Sequence, residues 1–468
     1  MFRCRYTWFI VILGGALIIG CGVNEKNETL KAGFARVNIT PPVGTPMTGF
    51  GSRDFDPAGC RDVHDDLYVR ALWLEQGERK ALVMGFDLLF FSRDEADRFK
   101  GAVGRRLDIA PGDILLNTSH THTGPKVGTW FYTPPDPFYL NFLEQAIVKA
   151  ALSARDNARP ASLASGNGRS DVPMSRRRKR PDGFVDFAPN PQGPVCDALP
   201  VCLLSDAENN PICLLFSISC HPSTVKGVER SYWISADFPG TAMGMIDDYL
   251  GAQVSLFLQG AGGDSKASVI GRDSEEWRAG TWDDVDAAGA MAADEVIGII
   301  EGGLDTVKPD LRSCCIEMQW RLEEPRNRAG YAEIAANPQA HSESMPEVMR
   351  MWAREQIALL DRGYELPSSV TVTAHGISLG ENVRMIGIEG ELVAELGNLI
   401  IDHYIGGVTF PLGYTDGAQM YLPTTAMLGE GGYEVESYWE YRQPSPLAGG
   451  HEKILSEALA KMGEMGVR

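Results

Sequence analysis

Asn117-Thr118-Ser119-His120-Thr121-His122-Thr123-Gly124-Pro125 follows the short apolar run Ile114-Leu115-Leu116. The run predicts a buried strand, and Gly124-Pro125 predicts the turn that closes the loop after it. Two histidines at the C-terminal end of a strand sit where open α/β sheets place their chemistry. In an extended segment His120 and His122 point to the same face, so both can address one site. Imidazole serves there as metal ligand or as acid and base near neutral pH. The pattern alone is equally that of two satisfied histidines in a polar loop, so the rest of the chain has to supply partners.

A second strand does. Ile212 to Ile218 is apolar and runs into Ser219-Cys220-His221-Pro222, again a strand ending in a histidine and a turn residue. With eight histidines in 468 residues, two at matching strand ends are less expected by chance than either alone. A third strand, Val383 to Ile388, is followed by Glu389-Gly390-Glu391 and a helix. A carboxylate at that junction can complete a zinc site with two histidines; the other reading is that both glutamates favour the helix N-terminus electrostatically.

Around these strands the chain predicts an α/β fold, a mixed β-sheet core flanked by helices in one large domain over 33–468. Strands and helices alternate in the middle, and paired strands stand near both ends. Leu67 to Glu75 and Lys80 to Phe90 read as a hairpin around Gly77-Glu78, with Asp87 an acidic residue in an apolar strand that burial makes costly unless it is paired. Ser92-Arg93-Asp94-Glu95 and Ser344-Met345-Pro346-Glu347 read as capping boxes. No internal repeat is visible.

The net charge of −19 argues against nucleic-acid binding, which needs a basic face. Arg3 and Arg5 precede the apolar run Phe9 to Ile19, too short for a comfortable membrane span. Ile18-Ile19-Gly20-Cys21 resembles a bacterial lipoprotein signal box. It implies cleavage before Cys21, lipidation of that residue, a polar tether over 22–32, and an exported chain anchored to a bacterial membrane. The cysteines include no CxxC pair, which argues against a cysteine zinc site; Cys60 and Cys196 are candidates for a disulfide in an exported protein.

Three further stretches are candidates for the site. Arg176-Arg177-Arg178-Lys179-Arg180 is a dense basic run, either a solvated loop or a holder of an anion or developing oxyanion. Gln259-Gly260-Ala261-Gly262-Gly263-Asp264 follows a strand but lacks the Lys-Ser/Thr of a phosphate loop. Gly413 to Thr424 and Gly431 to Glu434 are Gly-rich and carry tyrosines.

Thr40-Pro41, the His64-Asp65 region, the His120 loop, the strand ending at His221, the Gln259 to Asp264 loop, Gly390-Glu391 and the pair Tyr421/Tyr433 occur in one order. That ordered set, from about Gly33 to Tyr438, resembles the neutral/alkaline ceramidases. The resemblance implies a zinc-dependent amidase acting on an N-acyl amide such as a ceramide-like lipid. By motif it implies Zn2+ held by His120, His221, Glu391 and Tyr421, with His122 beside metal and substrate. It also implies a transition-state arginine at Arg176, the run Arg176 to Arg178 leaving the register open, and a further active-site tyrosine at Tyr433. Two departures stand out. Lys266 takes the place of the family's serine after Gly263-Asp264, with Ser265 one residue away, and the chain ends before the family's C-terminal immunoglobulin-like domain. A same-scaffold hydrolase of a non-lipid amide or ester, and a non-catalytic ligand-binding surface lipoprotein, are the competing readings.

Overall fold

The computed structural model describes residues 28–128, 132–227 and 229–468. The leader, Cys21 and the first part of the tether lie outside them, so the lipoprotein reading is a matter of sequence. The first strand begins at Lys31, so two residues read as tether belong to the sheet. Among the described residues no helix is long and apolar enough to cross a membrane.

Among the described residues one four-strand topology occurs three times. Lys31–Asn38, Tyr68–Gln76 and Arg79–Phe86 pair antiparallel in sequence order; the helix Arg93–Leu107 then crosses to Ile114–Thr118, which lies parallel to the third strand. Ser162–Arg169, Ala198–Ser205 and Pro211–Ile218 repeat the pattern, with the helix Phe238–Leu250 leading to the parallel strand Ser255–Gln259. Pro309–Arg321, Ser369–Gly380 and Val383–Ile388 do so again, with the helix Ala394–His403 leading to Val408–Leu412.

The three sheets share one inner core. Leu72, Val83 and Leu115 of the first meet Leu204, Leu215 and Leu256 of the second and Ile377, Met385 and Phe410 of the third. The opposite faces are covered by helices, for example Leu82, Met84 and Phe86 by Phe99 and Leu143. Strands buried on both faces have to be continuously apolar, which is why Ala81-Leu82-Val83-Met84 reads as a run rather than an alternation. Each fully buried aliphatic side chain contributes about 2 kcal/mol.

The fourth strands of the three units converge on Asn117. Its Nδ2 donates to the carbonyls of Gln259 at 3.3 Å and Gly413 at 2.8 Å, and to Thr415 Oγ1 at 3.3 Å; its Oδ1 accepts from Gln259 N at 2.7 Å. The chain leaves these parallel strands, and the strands beside them, at the same end of the core.

Several sequence readings are corrected here. Cys60 and Cys196 are both free and buried, one in the core of the first sheet and one in that of the third, so they form no disulfide. Ser344 does not cap the helix Pro346–Asp361: its N-cap is Met345, without a side-chain cap, because Ser342 Oγ instead accepts from Met345 N at 3.2 Å. The Ser92 capping box is formed. Asp87 is paired, accepting from Arg70 Nη1 at 2.7 Å and Tyr68 N at 2.8 Å, so its burial serves the fold.

Asn117→Ala removes four hydrogen bonds and leaves the Gln259 carbonyl and amide short of a partner, while the Gly413 carbonyl keeps Thr415 Oγ1 at 3.0 Å. We expect a loss of about 3 kcal/mol, read as a lower urea midpoint at unchanged slope; a change within error would mean that the strand ends hold together without it.

Candidate metal centre

Each unit sends a loop to the same point. From the first come His120 and His122. His120 takes a left-handed conformation at φ 65°, held by its own N on the Leu88 carbonyl at 2.9 Å. Such strain in a non-glycine residue persists only where the surroundings impose it. From the second unit comes His221, and from the third Glu391, Tyr414 and Tyr421. Glu391 and Tyr421 are cross-strand partners in the short parallel pair Glu391–Leu392 and Tyr421–Leu422.

Each imidazole is fixed through Nδ1 by a backbone carbonyl. His120 donates to Leu89 O at 3.0 Å, His122 to Gly49 O at 2.6 Å and His221 to Gly262 O at 2.6 Å. A proton on Nδ1 leaves Nε2 with a lone pair, the tautomer a metal ligand needs. The three Nε2 side edges face one another, and the ligand atoms of the three residues lie within 4.8 Å. Burial pushes all three histidines below their ordinary pKa, which keeps them neutral at physiological pH.

Glu391 Oε2 lies 3.3 Å from His120 Nε2 and 3.3 Å from His221 Nε2. Tyr421 Oη lies 3.3 Å from His221 Nε2, and His122 Nε2 lies 3.2 Å from His120 Nε2. Ligands about 2.1 Å from a tetrahedral ion stand about 3.4 Å apart, so these side chains can hold a metal without rearrangement. The carboxylate is further oriented by Tyr414, whose Oη donates to Oε2 at 3.2 Å, and by Tyr441, whose Oη donates to Oε1. Burial and the Glu391 charge hold both phenols well above their ordinary pKa, so they remain donors.

Of the basic run, Arg176 reaches the site. The run is a strand, Pro173–Lys179, not a solvated loop, and its pairing register shifts between Ser175 and Arg177. Arg176 Nη2 donates to Tyr421 Oη at 3.0 Å and its Nε to Glu434 Oε1 at 2.7 Å. Arg177 donates to the other oxygen, Glu434 Oε2, at 2.6 Å, and Arg178 turns to Glu275. Burial pushes the Glu434 carboxyl up, but the two guanidiniums outweigh it and hold it below the ordinary value. Tyr433 is partly exposed at 39 %, its Oη donates to Glu440 Oε2 at 3.1 Å, and its ring packs edge-on to Tyr421 with centroids 5.5 Å apart. Leu89, Phe90, Tyr433 and Tyr441 line the pocket over His120, His122 and Glu391, together with Thr48 and Glu440.

The Gln259–Asp264 loop holds no phosphate-loop geometry. It positions His221 through the Gly262 carbonyl, and a Cβ at Gly263 would stand 2.7 Å from Glu391 O, so glycine lets the second unit pass against the third. Glu389, the other acid of its pair, accepts from Gln419 Nε2 at 2.7 Å and pairs with Arg93 away from the site. Sequence reasoning missed Tyr441, Glu434 and Arg53. Arg53 is 2 % exposed and donates to the carbonyls of His122 and Thr48. Glu434 lay within a candidate stretch without a role assigned to it, and the partners that bring these three to the site, Arg176, Glu391 and the His122 carbonyl, are distant in the chain.

No protein-family model matches the sequence, and no curated protein matches it. Solved structures do. The neutral ceramidase from Pseudomonas aeruginosa superposes with a TM-score of 0.68 at 14% identity, over 92% of this chain and 73% of that one. A ceramidase complexed with C2 superposes with a TM-score of 0.69 at 14% identity, over 94% and 76%. The chain has the neutral ceramidase fold. On this ceramidase fold His120, His221, Glu391 and Tyr421 converge, with His122, Arg176 and Tyr433 around them.

Glu434→Gln removes the charge that balances Arg176 and Arg177, and we expect it to destabilise the protein by about 3 kcal/mol at neutral pH. Because the folded pKa of Glu434 is depressed, its contribution is present above the ordinary glutamate range and is lost as pH falls through that range towards the folded value. The gap between wild type and variant in urea unfolding should therefore narrow below about pH 4.3; a gap independent of pH would refute the ion-pair account.

Proposed function

We propose that this chain is a zinc-dependent amidohydrolase of the ceramidase type, with His120, His221, Glu391 and Tyr421 as metal ligands and an N-acyl amide as substrate. One observation supports this reading above the others: the Nε2 atoms of His120 and His221 each lie 3.3 Å from the same oxygen of Glu391, on a ceramidase fold. A bound zinc ion supplies Lewis acidity, making water nucleophilic near neutral pH and polarising an amide carbonyl.

The chain's own groups supply the rest. His122 is neutral, its Nδ1 proton is held by Gly49 O, and its Nε2 is turned inward. That atom is placed to take a proton from water and return it to the leaving amine. Arg176, kept cationic by Glu434, and Tyr433 offer donors to the oxyanion that forms at the carbonyl. Leu89, Phe90 and the tyrosines exclude water and give an acyl chain an apolar wall. Lipidation at Cys21 would hold this pocket near a bacterial membrane, where lipid amides are found. Thr48 and Glu440 in the same pocket favour, as a second reading, a polar amide or ester on the same machinery.

Metal content and cleavage of a fluorogenic N-acylsphingosine, measured on the chain from Gly22 onward with and without chelator, test the proposal. We expect about one zinc per chain and chelator-sensitive cleavage. Zinc without cleavage would favour the polar substrate, and absence of metal would favour a binding protein. Glu391→Ala should lose the metal and lower activity by more than about a thousandfold; stoichiometric zinc retained in that variant would sink the ligand assignment.

A further inference from the structure

Lys266 stands where the resemblance would place a serine, and it is the buried cation bridged to His221. The side chain is 8 % exposed. Its Nζ donates to Ser223 O at 3.2 Å and Ser223 Oγ at 3.0 Å, and lies 5.8 Å from the centre of the Trp277 ring. No carboxylate among the described residues pairs with it. Arg176, the neighbouring buried cation, shares a carboxylate with Arg177; Arg70 has Asp87 and Lys100 has Asp416. A buried ammonium without an ion-pair partner is costly, and an anion bound beside it offsets that cost.

Lys266 opens into a cavity that also contains Arg178, Lys226 and Arg278. Two acids line it, Asp186 and Glu276; Asp186 lies 3.6 Å from Arg180 and Glu276 is exposed. The buried Asp237, whose charge also acts on Lys266, accepts from Thr224 N at 2.9 Å and Phe238 N at 2.8 Å, so none of the three forms an ion pair with the ammonium. This cavity adjoins the metal centre. Lys266 is bridged through its backbone to His221 and pairs across the strand with Met174, two residues from Arg176. The Phe187 ring lines the cavity and forms the wall between the two, lying 4.8 Å from the Arg176 guanidinium and 5.8 Å from the Tyr433 ring.

We propose that this cavity is an anion subsite, in which Lys266 receives a carboxylate, phosphate or sulfate carried by the substrate. The inference rests on the hydrolase reading only for the word substrate; the anion site stands on its own geometry. An ammonium already oriented by Ser223 and walled by an indole forms a short, charge-assisted contact with an oxyanion, and Lys226 beside it adds to the attraction, Arg178 and Arg278 being paired with Glu275 and Asp284. The substrate class then shifts from a neutral ceramide to an N-acyl amide bearing an acid group, such as an N-acyl amino acid.

Thermal stability is measured with inorganic phosphate and with sulfate, on the protein as purified and again with chelator. Hydrolysis of N-lauroylglycine and of uncharged N-lauroylethanolamine is then compared. We expect both anions to raise the melting temperature with or without chelator, phosphate to compete with N-lauroylglycine, and the acidic substrate to be preferred. Lys266→Met should abolish the anion-induced shift and lower kcat/KM for N-lauroylglycine by roughly ten- to a hundredfold, with little change for the uncharged amide. Lys266→Arg, which keeps the charge, should retain the shift and shows that loss in the methionine variant is not misfolding. No shift in the wild type, or the same shift in Lys266→Met, overturns the anion site. Stabilisation without competition, or preference for the uncharged amide, overturns its assignment to the substrate. If no metal or cleavage is found but the shift depends on Lys266, the hydrolase reading fails and the anion site survives.

Discussion

The carboxamide of Asn117 joins the three parallel strand ends that define this fold. It bonds to the ends of the second and third units, while its own strand continues three residues later into His120. An amide is suited to this position because it donates twice and accepts at once, and the strand ends present both kinds of backbone group. An apolar side chain of similar size would leave the Gln259 carbonyl and amide short of a partner, which costs more than the bonds themselves are worth in water. The metal centre inherits its precision from this junction, since its side chains come from all three units: His120 and His122 from the first, His221 from the second, Glu391 and Tyr421 from the third.

Charge at the centre is arranged by burial. Three imidazoles held neutral, one carboxylate braced by two phenols, and two guanidiniums sharing a second carboxylate give a site that is buried and nearly balanced. In such surroundings each polar group acts at full strength and little reorganisation is needed when charge develops. Lys266 breaks the pattern. Burial, with Arg176 and Lys226 nearby and Asp237 acting against them, brings its ammonium down to about 7.

Much of the site was legible because its signals are local. His120 and His221 each follow an apolar strand by a few residues, and Glu391 follows another; a strand end is visible in sequence as a run that stops at a turn residue. The register of the basic run was not legible, because the irregularity between Ser175 and Arg177 breaks the alternation from which facing is read. Tyr441 and Glu434 were missed for a different reason: each meets its partner across a gap of 50 or 258 residues, with nothing nearby to assign its role. The threefold recurrence of one topology left no trace either, since strand pairing is made by backbone groups and tolerates any apolar side chain that fills the core.

By itself the sequence determined the elements and the chemistry they could carry: apolar runs long enough for strands, turn residues where they stop, and histidines and a carboxylate just beyond. Those are properties of short segments, set by periodicity and backbone preference. Only the tertiary structure decided which of the ends meet, which glutamate of a pair turns inward, which arginine is neutralised, and that the buried Lys266 forms no ion pair among the described residues. These depend on distances between residues far apart in the chain, and such distances exist only once the three sheets have closed on their common core.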